Sequence, residues 1–376
     1  MKKIGLYGGS FDPVHTEHVA IALSAIKTFS LDMLIVMPTF ISPHKRDRVL
    51  APPKMREEML KIAFGGRKDV LISDYEITKK DVSFTYLTIE HIKEQYGGEL
   101  YLLVGADMLK DMPTWREPQR IVDSAKIIVT PRLGEDLAAA LEVFYDRFRI
   151  RPLVNGYVGK NVSGTMIRNC LLLGLDPKGK VDKNVLSFIK ENGLYVGGED
   201  EKLVEYVKNA LTEKRLYHTA GVMTLAEKYA KTLGVDVYKA RLAAMLHDVA
   251  KYKDCADYNY SPPSDMPKSI VHQFLGEYIC RTELGVIDEE ILDAVKFHST
   301  GKANMSDLGR IVFTADLLEE GRVYDGVDEL RRAVDADFDK GFSLCVLRLF
   351  EFLNEERPSE DVYYLSKECK EYYCGR

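Results

Sequence analysis

The 376-residue sequence predicts an open α/β domain, built on a doubly wound parallel sheet, followed by an all-α domain. Three observations carry this expectation. Through the first half, short apolar runs alternate with helical patterns, as in strands joined by helical crossovers. A glycine pair and acidic residues, VGGED at 196–200, then interrupt the chain. Beyond them leucine and alanine recur at amphipathic helix spacing, starting with a pattern at 202–212, and β-branched runs are few. Domains are therefore expected at 1–196 and 197–376, each of ordinary size.

The first strand is KIGLY at 3–7, short and apolar enough to be buried. Gly8 and Gly9 follow, where a chain without side chains turns tightly and approaches a ligand closely. In GGSFDPVHTEH (8–18), Pro13 ends regular structure. His15 and His18, three apart, share a face of the first helical turn, beside unpaired N–H groups and the positive end of the dipole. Phosphate suits such a turn. Glu17 in the same turn suits the dipole but would repel a polyphosphate lying there. Strand 34–37 leads to SPHK (42–45), with His44 and Lys45, and SFTY (83–86) opens a helix at Thr85. Strand 100–104 ends in GAD, which places Asp107 beyond it, and the only tryptophan, Trp115, lies in the next loop. Strand 126–130 leads to Arg132. VSGTMIR (162–168) opens a further helix, with Ser163 as N-cap, Thr165 in the first turn and Arg168 in the next. All these residues fall after strands or at helix starts, the sheet edge where open α/β folds bind ligands.

With those residues in view, the first half resembles the HxGH-type nucleotidyltransferases, and more narrowly the nicotinate-nucleotide adenylyltransferases. It matches their G-(S/T)-F-(D/N)-P-x-H-x-G-H pattern except at Glu17, where the family usually has glycine, and VSGTMIR is similar to their ISxTxIR element. The resemblance implies a Rossmann-like fold binding ATP with Mg²⁺ and nicotinate mononucleotide. It also implies roles: His15, His18, Lys45 and Arg168 in catalysis, and Gly8, Gly9, Ser10, Phe11, Ser163 and Thr165 in binding. Thr85 and Trp115 would hold the pyridine ring, Asp107 the ribose region, and His44, Lys45 and Arg132 phosphates. The mononucleotide phosphate would attack the α-phosphorus of ATP in line and release pyrophosphate. Alignment and charge stabilisation suffice for this, so no protein nucleophile is required.

The second half contains His218 (RLYHTAGV), His247 with Asp248 (AAMLHDVAK), His272 (IVHQF), His298 (VKFHSTG) and Asp316 (FTADLLEEGR). Six donors mixing imidazole and carboxylate exceed one tetrahedral structural site and suit a two-metal hydrolytic centre. Their order, H…HD…H…H…D, resembles the HD phosphohydrolase superfamily over 201–356. HDVAK, HSTG and ADLLEEGR narrow the likeness to the bacterial symmetrical diadenosine-tetraphosphate hydrolases. That resemblance implies two metal ions, with iron favoured, bridged by Asp248. His218, His247 and Asp316 would hold one ion, and His272 and His298 the other. Lys251 and Arg322 would contact phosphate oxygens, and a water acidified by both cations would split dinucleoside polyphosphates into two diphosphates. Gln273 stands where that family commonly has glycine.

A net charge of −6 excludes a broad electrostatic platform for nucleic acid. Six cysteines without CxxC spacing point to reduced thiols and a cytoplasmic enzyme. No apolar run is long enough for a secretory signal or a membrane span, so no membrane partner is expected. A homo-oligomer is left open, and the tail after Pro358 reads as a capping helix or interface. Two functional readings stand. One is a bifunctional enzyme, with phosphopantetheine as the runner-up acceptor, against which Trp115 and SFTY argue. The other is a nucleotide-sensing regulator whose transferase Glu17 has silenced; an HD phosphohydrolase acting on another nucleotide is a further alternative for the second half.

Overall fold

A computed structural model describes residues 1–40, 50–134, 136–160, 162–356 and 362–375. The chain divides into two compact units, Met1–Ile167 with Pro177–Tyr195, and Arg168–Asp176 with Val196–Arg376.

The first unit is a six-stranded, wholly parallel sheet: β1 (Lys3–Gly9), β2 (Met33–Pro38), β3 (Val70–Ile72), β4 (Glu99–Gly105), β5 (Lys126–Thr130) and β6 (Leu153–Val154). Their order is β3-β2-β1-β4-β5-β6, so β1 and β4 flank the point where the winding reverses. At that point the helices leave on opposite faces and open a crevice past the carboxyl ends of the strands. β2 is apolar throughout because both faces are covered: Leu34, Ile35 and Val36 are inaccessible to solvent. The apolar runs signalled four strands. β3 and β6, of three and two residues, are too short to carry a periodic signal.

The glycine turn expected after 3–7 is not where the chain turns. Gly8 and Gly9 are still extended and pair with Met37 and Pro38. The left-handed residue is Phe11, at φ 46°, whose ring is wholly buried. Gly9 matters for a different reason: a Cβ there would lie 3.2 Å from the Phe11 ring, a tight contact to which the buried ring would have to yield. At Gly8 nothing lies within 4 Å of such a Cβ, so the strand end faces open space.

The second unit is helical, as its spacing predicts. The helix expected at 202–212 is Glu201–Ala210, and a longer one, Glu213–Leu233, follows at once. The division also assigns 168–176 to this unit, unlike a clean boundary at 196/197. Asn169 gives the physical reason: its amide donates to Thr224 Oγ1 (3.1 Å) and Glu227 Oε1 (3.3 Å), and the Tyr217 hydroxyl donates to the Asp176 carbonyl (2.8 Å). Among the described residues, no helix is long and apolar enough to cross a membrane.

Candidate active sites

In the first unit the crevice at the sheet edge is a cavity of about 480 Å³. Gly8, Gly9, Ser10, Thr85, Asp107 and Trp115 all line it, although they come from three separate stretches of sequence. Thr85 opens the helix Thr85–Tyr96, and Asp107 lies in the first turn of Ala106–Asp111, directly after β4. Half-buried Trp115 also packs on the core beneath the sheet. It is both a cleft wall and a packing residue.

His15 caps the helix Thr16–Phe29. Its ring stacks on that of His18 at 3.6 Å, and its N–H donates to His18 Nδ1 at 3.2 Å. Phe11 meets His18 edge-on at 5.0 Å and Tyr7 at 5.4 Å. His15 is only 5% exposed. Burial, and then the charge of Arg132, lower its pKa to about 3, so the ring is neutral at pH 7. Its Nδ1 is buried and has no hydrogen-bond partner among the described residues. Burial also raises the Tyr7 phenol, with Arg132, Asp107 and Glu17 all near enough to perturb it. Tyr7 thus joins the histidine turn to the crevice. Because the Phe11 ring is buried, only its backbone remains for a ligand.

Ser163 accepts a long bond (3.5 Å) from the Met166 N–H, as expected at the start of Gly164–Leu172, where Thr165 also lies. Arg168, one turn further on that helix, is grouped with the second unit. His44 and Lys45 lie outside the described residues.

In the second unit all six proposed ligands converge. His218 stands on Glu213–Leu233, His272 on Lys268–Thr282 and Asp316 on Asp307–Leu318. His247 and His298 are not inside helices: each sits just past a helix end, and Asp248 follows His247. Asp248 Oδ1 lies 3.3 Å from His272 Nε2 and 3.6 Å from His298 Nε2, and Oδ2 lies 3.4 Å from His247 Nε2. Asp316 Oδ1 lies 2.9 Å from His218 Nε2 and 3.9 Å from His247 Nε2. Three overlapping triplets, 218/247/248, 247/298/316 and 248/272/298, each bring ligand atoms within 4.8 Å of one another.

Hydrogen bonds on the far side of the rings fix their direction. His247 Nδ1 meets the Ala244 carbonyl at 2.7 Å, and His298 Nδ1 meets that of Val295 at 2.8 Å. With Nδ1 as donor, each Nε2 keeps its lone pair for the cluster. His218 Nδ1 meets Glu319 Oε1 at 3.1 Å, a carboxylate behind a histidine. His247 Nε2 and Asp248 Oδ1 are buried without an aligned hydrogen bond among the described residues. Orphaned nitrogen and oxygen atoms, converging with no thiolate, fit a divalent-metal centre.

Burial by itself would raise the Asp248 carboxyl, but the imidazoles of His247, His272 and His298 outweigh it and hold its pKa well below the usual range. Asp316 behaves likewise beside His218 and Arg322. Burial lowers His247, and lowers His272 to about 4, which keeps both rings neutral as ligands must be. Arg322 pairs with Asp316 (2.5 Å), and Lys251 Nζ lies 3.1 Å from His272 Nε2.

Comparison with known proteins matches each half. The cytidylyltransferase-like family model covers residues 6–170 and the HD domain model residues 215–321. A Clostridium tetani protein named "Probable nicotinate-nucleotide adenylyltransferase" is 33% identical over 199 residues, which are 52% of this chain and all of that protein. The chain belongs to the nicotinate-nucleotide adenylyltransferase family. The adenylyltransferase half continues into an HD half, as in a Mycoplasma genitalium protein named "Probable nicotinate-nucleotide adenylyltransferase/Ap4A hydrolase". That relative is 29% identical over 85% of this chain and 88% of its own length. A Clostridium acetobutylicum crystal structure, described as a "predicted HD superfamily hydrolase involved in NAD metabolism", is 32% identical. It covers 47% of this chain and 97% of its own, with a TM-score of 0.43.

Some residues of both halves escaped the sequence reading. In the adenylyltransferase half, fully buried Arg56 donates to the carbonyls of Ser10 (2.7 Å), Thr39 (2.8 Å) and Ala51 (3.0 Å), bracing the turn after β1. No motif announces it. In the HD half, Arg215 Nη1 lies 2.9 Å from Asp248 Oδ2. Its place one helical turn before His218 was the available signal. Gln273 is fully buried: its amide donates to Thr300 Oγ1 (2.9 Å) and its carbonyl accepts from the Ser299 N–H (3.0 Å). The residue in place of the usual glycine therefore clamps the loop that follows His298.

Proposed function

We propose that the chain carries two activities: adenylyl transfer from ATP to nicotinate mononucleotide, and symmetrical hydrolysis of diadenosine tetraphosphate to two ADP. The observation that carries this reading is the convergence, in each half, of residues remote in sequence on one site of matching chemistry. In the first unit that site is a crevice lined by Gly8, Ser10, Thr85, Asp107 and Trp115. In the second it is the six-residue cluster around Asp248.

For transfer, Gly8 leaves room for phosphates at the end of β1, and the amides opening Thr16–Phe29 supply donors. His15, neutral and held by its stack on His18, offers a directed nitrogen without a proton exchange near pH 7. His18, Arg132, Ser163 and Thr165 complete the phosphate contacts, with Mg²⁺ accompanying ATP. Trp115 stacks on the pyridine ring. As the mononucleotide oxygen bonds to the α-phosphorus, the bond to the β-phosphate breaks and pyrophosphate leaves.

For hydrolysis, His218, His247, Asp248, His272, His298 and Asp316 would hold a metal pair, with iron favoured, which would supply Lewis-acid stabilisation of phosphate oxygens and lower the pKa of the attacking water. Asp248 is oriented between its histidines, His218 is aimed by Glu319, and Lys251, Arg215 and Arg322 add positive charge for a polyphosphate. Both activities belong in the cytoplasm, in keeping with six free cysteines.

A silenced transferase is the weaker reading, because the Glu17 carboxylate bonds to Tyr157 and Lys160 rather than standing free at the helix start. Incubation of the full chain with ATP, Mg²⁺ and nicotinate mononucleotide is expected to yield nicotinate adenine dinucleotide and pyrophosphate. Diadenosine tetraphosphate is expected to yield ADP alone, in proportion to bound metal. No dinucleotide, or ATP plus AMP from the tetraphosphate, would overturn the corresponding half.

A further inference from the structure

Glu17 occupies a position where the sequence pattern favours glycine and where a carboxylate opposes polyphosphate. It is nonetheless 6% exposed. A buried carboxylate without hydrogen bonds is costly, so its partners define its role. The Tyr157 hydroxyl donates to both oxygens, at 2.9 and 3.1 Å, and the Lys160 backbone N–H donates to Oε2 at 2.7 Å.

The segment it holds is itself tied to the sheet edge. Asn155, nearly inaccessible, donates from its amide to Thr130 Oγ1 (3.1 Å) and the Ile21 carbonyl (3.3 Å), and its N–H reaches the Val129 carbonyl (2.8 Å). Gly159 bridges Arg132: the Gly159 N–H donates to the Pro131 carbonyl at 2.8 Å, and the Leu133 N–H donates to the Gly159 carbonyl at 3.0 Å. Glu17 thus joins three carriers of the phosphate site: the helix bearing His15 and His18, the strand end bearing Arg132, and the chain running on to Ser163 and Thr165.

We infer that Glu17 is a positioning residue for adenylyl transfer: its buried carboxylate fastens residues 157–160 to the histidine helix and so sets Arg132 and the Ser163 turn against the triphosphate. It acts through those groups and touches no substrate. The inference rests on the transferase reading above. Transfer enzymes lose on the order of a hundredfold when a contact is displaced by about an ångström, so such a clamp is kinetically visible.

The test compares Glu17→Gly, Glu17→Gln and Tyr157→Phe in the full chain by kcat and by KM for each substrate. Unfolding followed by Trp115 fluorescence and tetraphosphate hydrolysis serve as controls. Glu17→Gly is expected to lower kcat/KM for ATP by about tenfold to a hundredfold, more than for the mononucleotide, with hydrolysis unchanged. Glu17→Gln keeps an accepting oxygen and should recover to within about threefold, with Tyr157→Phe between them.

Unchanged or faster transfer by Glu17→Gly would overturn the inference, as would a loss that glutamine does not rescue. Equal loss for both substrates, in step with lowered stability, would reduce Glu17 to a packing role. Absence of transfer by the unaltered chain would instead refute the transferase reading itself.

Discussion

His15 provides a pH-dependent stability term whose size follows from its burial. An unfolded histidine titrates near 6.5, whereas His15 in the folded unit is lowered to about 3. Between those values the unfolded chain binds the proton and the folded chain does not. Stability is therefore complete above pH 6.5, falls as pH drops, and levels only near pH 3. Between pH 7.5 and 5 the loss from this one group is about 2 kcal/mol. The perturbation is His15→Gln, which keeps a polar side chain and removes the titration. Trp115 is the only tryptophan, so urea unfolding followed by its fluorescence reports on the first unit alone. The unaltered protein should lose about 2 kcal/mol more than the variant over that interval. Parallel profiles for the two proteins would show that His15 is not held neutral by burial, and its proposed role as a neutral, directed nitrogen would fall with it.

Further outcomes are expected. His18→Ala should reduce adenylyl transfer by about two orders of magnitude if the ring contacts phosphate as proposed, while loss of its stack on His15 and of the bond from the His15 N–H lowers the stability of the first unit by only about 1 kcal/mol; steady-state rates beside a melting curve check this. Asp248→Ala should remove bound metal and tetraphosphate hydrolysis together, whereas His298→Ala keeps one ion with weak activity, and transfer survives both; metal analysis with product assays would expose any other pattern. Gln273→Gly frees the loop after His298 and should weaken metal retention by about tenfold without altering transfer, as read by metal content after dialysis against a chelator.

Much of this protein is legible in its sequence because the relevant signals are local. GGSFDPVHTEH announces a strand, a turn and a helix start within eleven residues, and the six proposed ligands of the second half stand out by residue type and order. The apolar runs place four of the six strands, and the VGGED break falls where the second run of the first unit ends, at Tyr195. Where the chain turns was less legible. The pair of glycines suggested the bend, yet they stay paired in β1 and the left-handed residue is Phe11, because a buried aromatic ring, seated over Gly9, decides the local geometry.

The departures from family pattern show most clearly what only the tertiary structure decides. From sequence, Glu17 reads as a charge set against the substrate and Gln273 as a disturbance beside a ligand. In the folded protein both are buried brackets, one closing on Tyr157 and Lys160, the other on Ser299 and Thr300. Arg56 and Arg215 likewise gain their meaning from carbonyls and a carboxylate far along the chain. Residue type and spacing determine which chemistry a chain can present, because those are properties of short segments. Which way a side chain faces, and whether its charge is spent on the protein or kept for a ligand, depends on groups brought together by folding. A buried polar atom must find its partner wherever the fold supplies one.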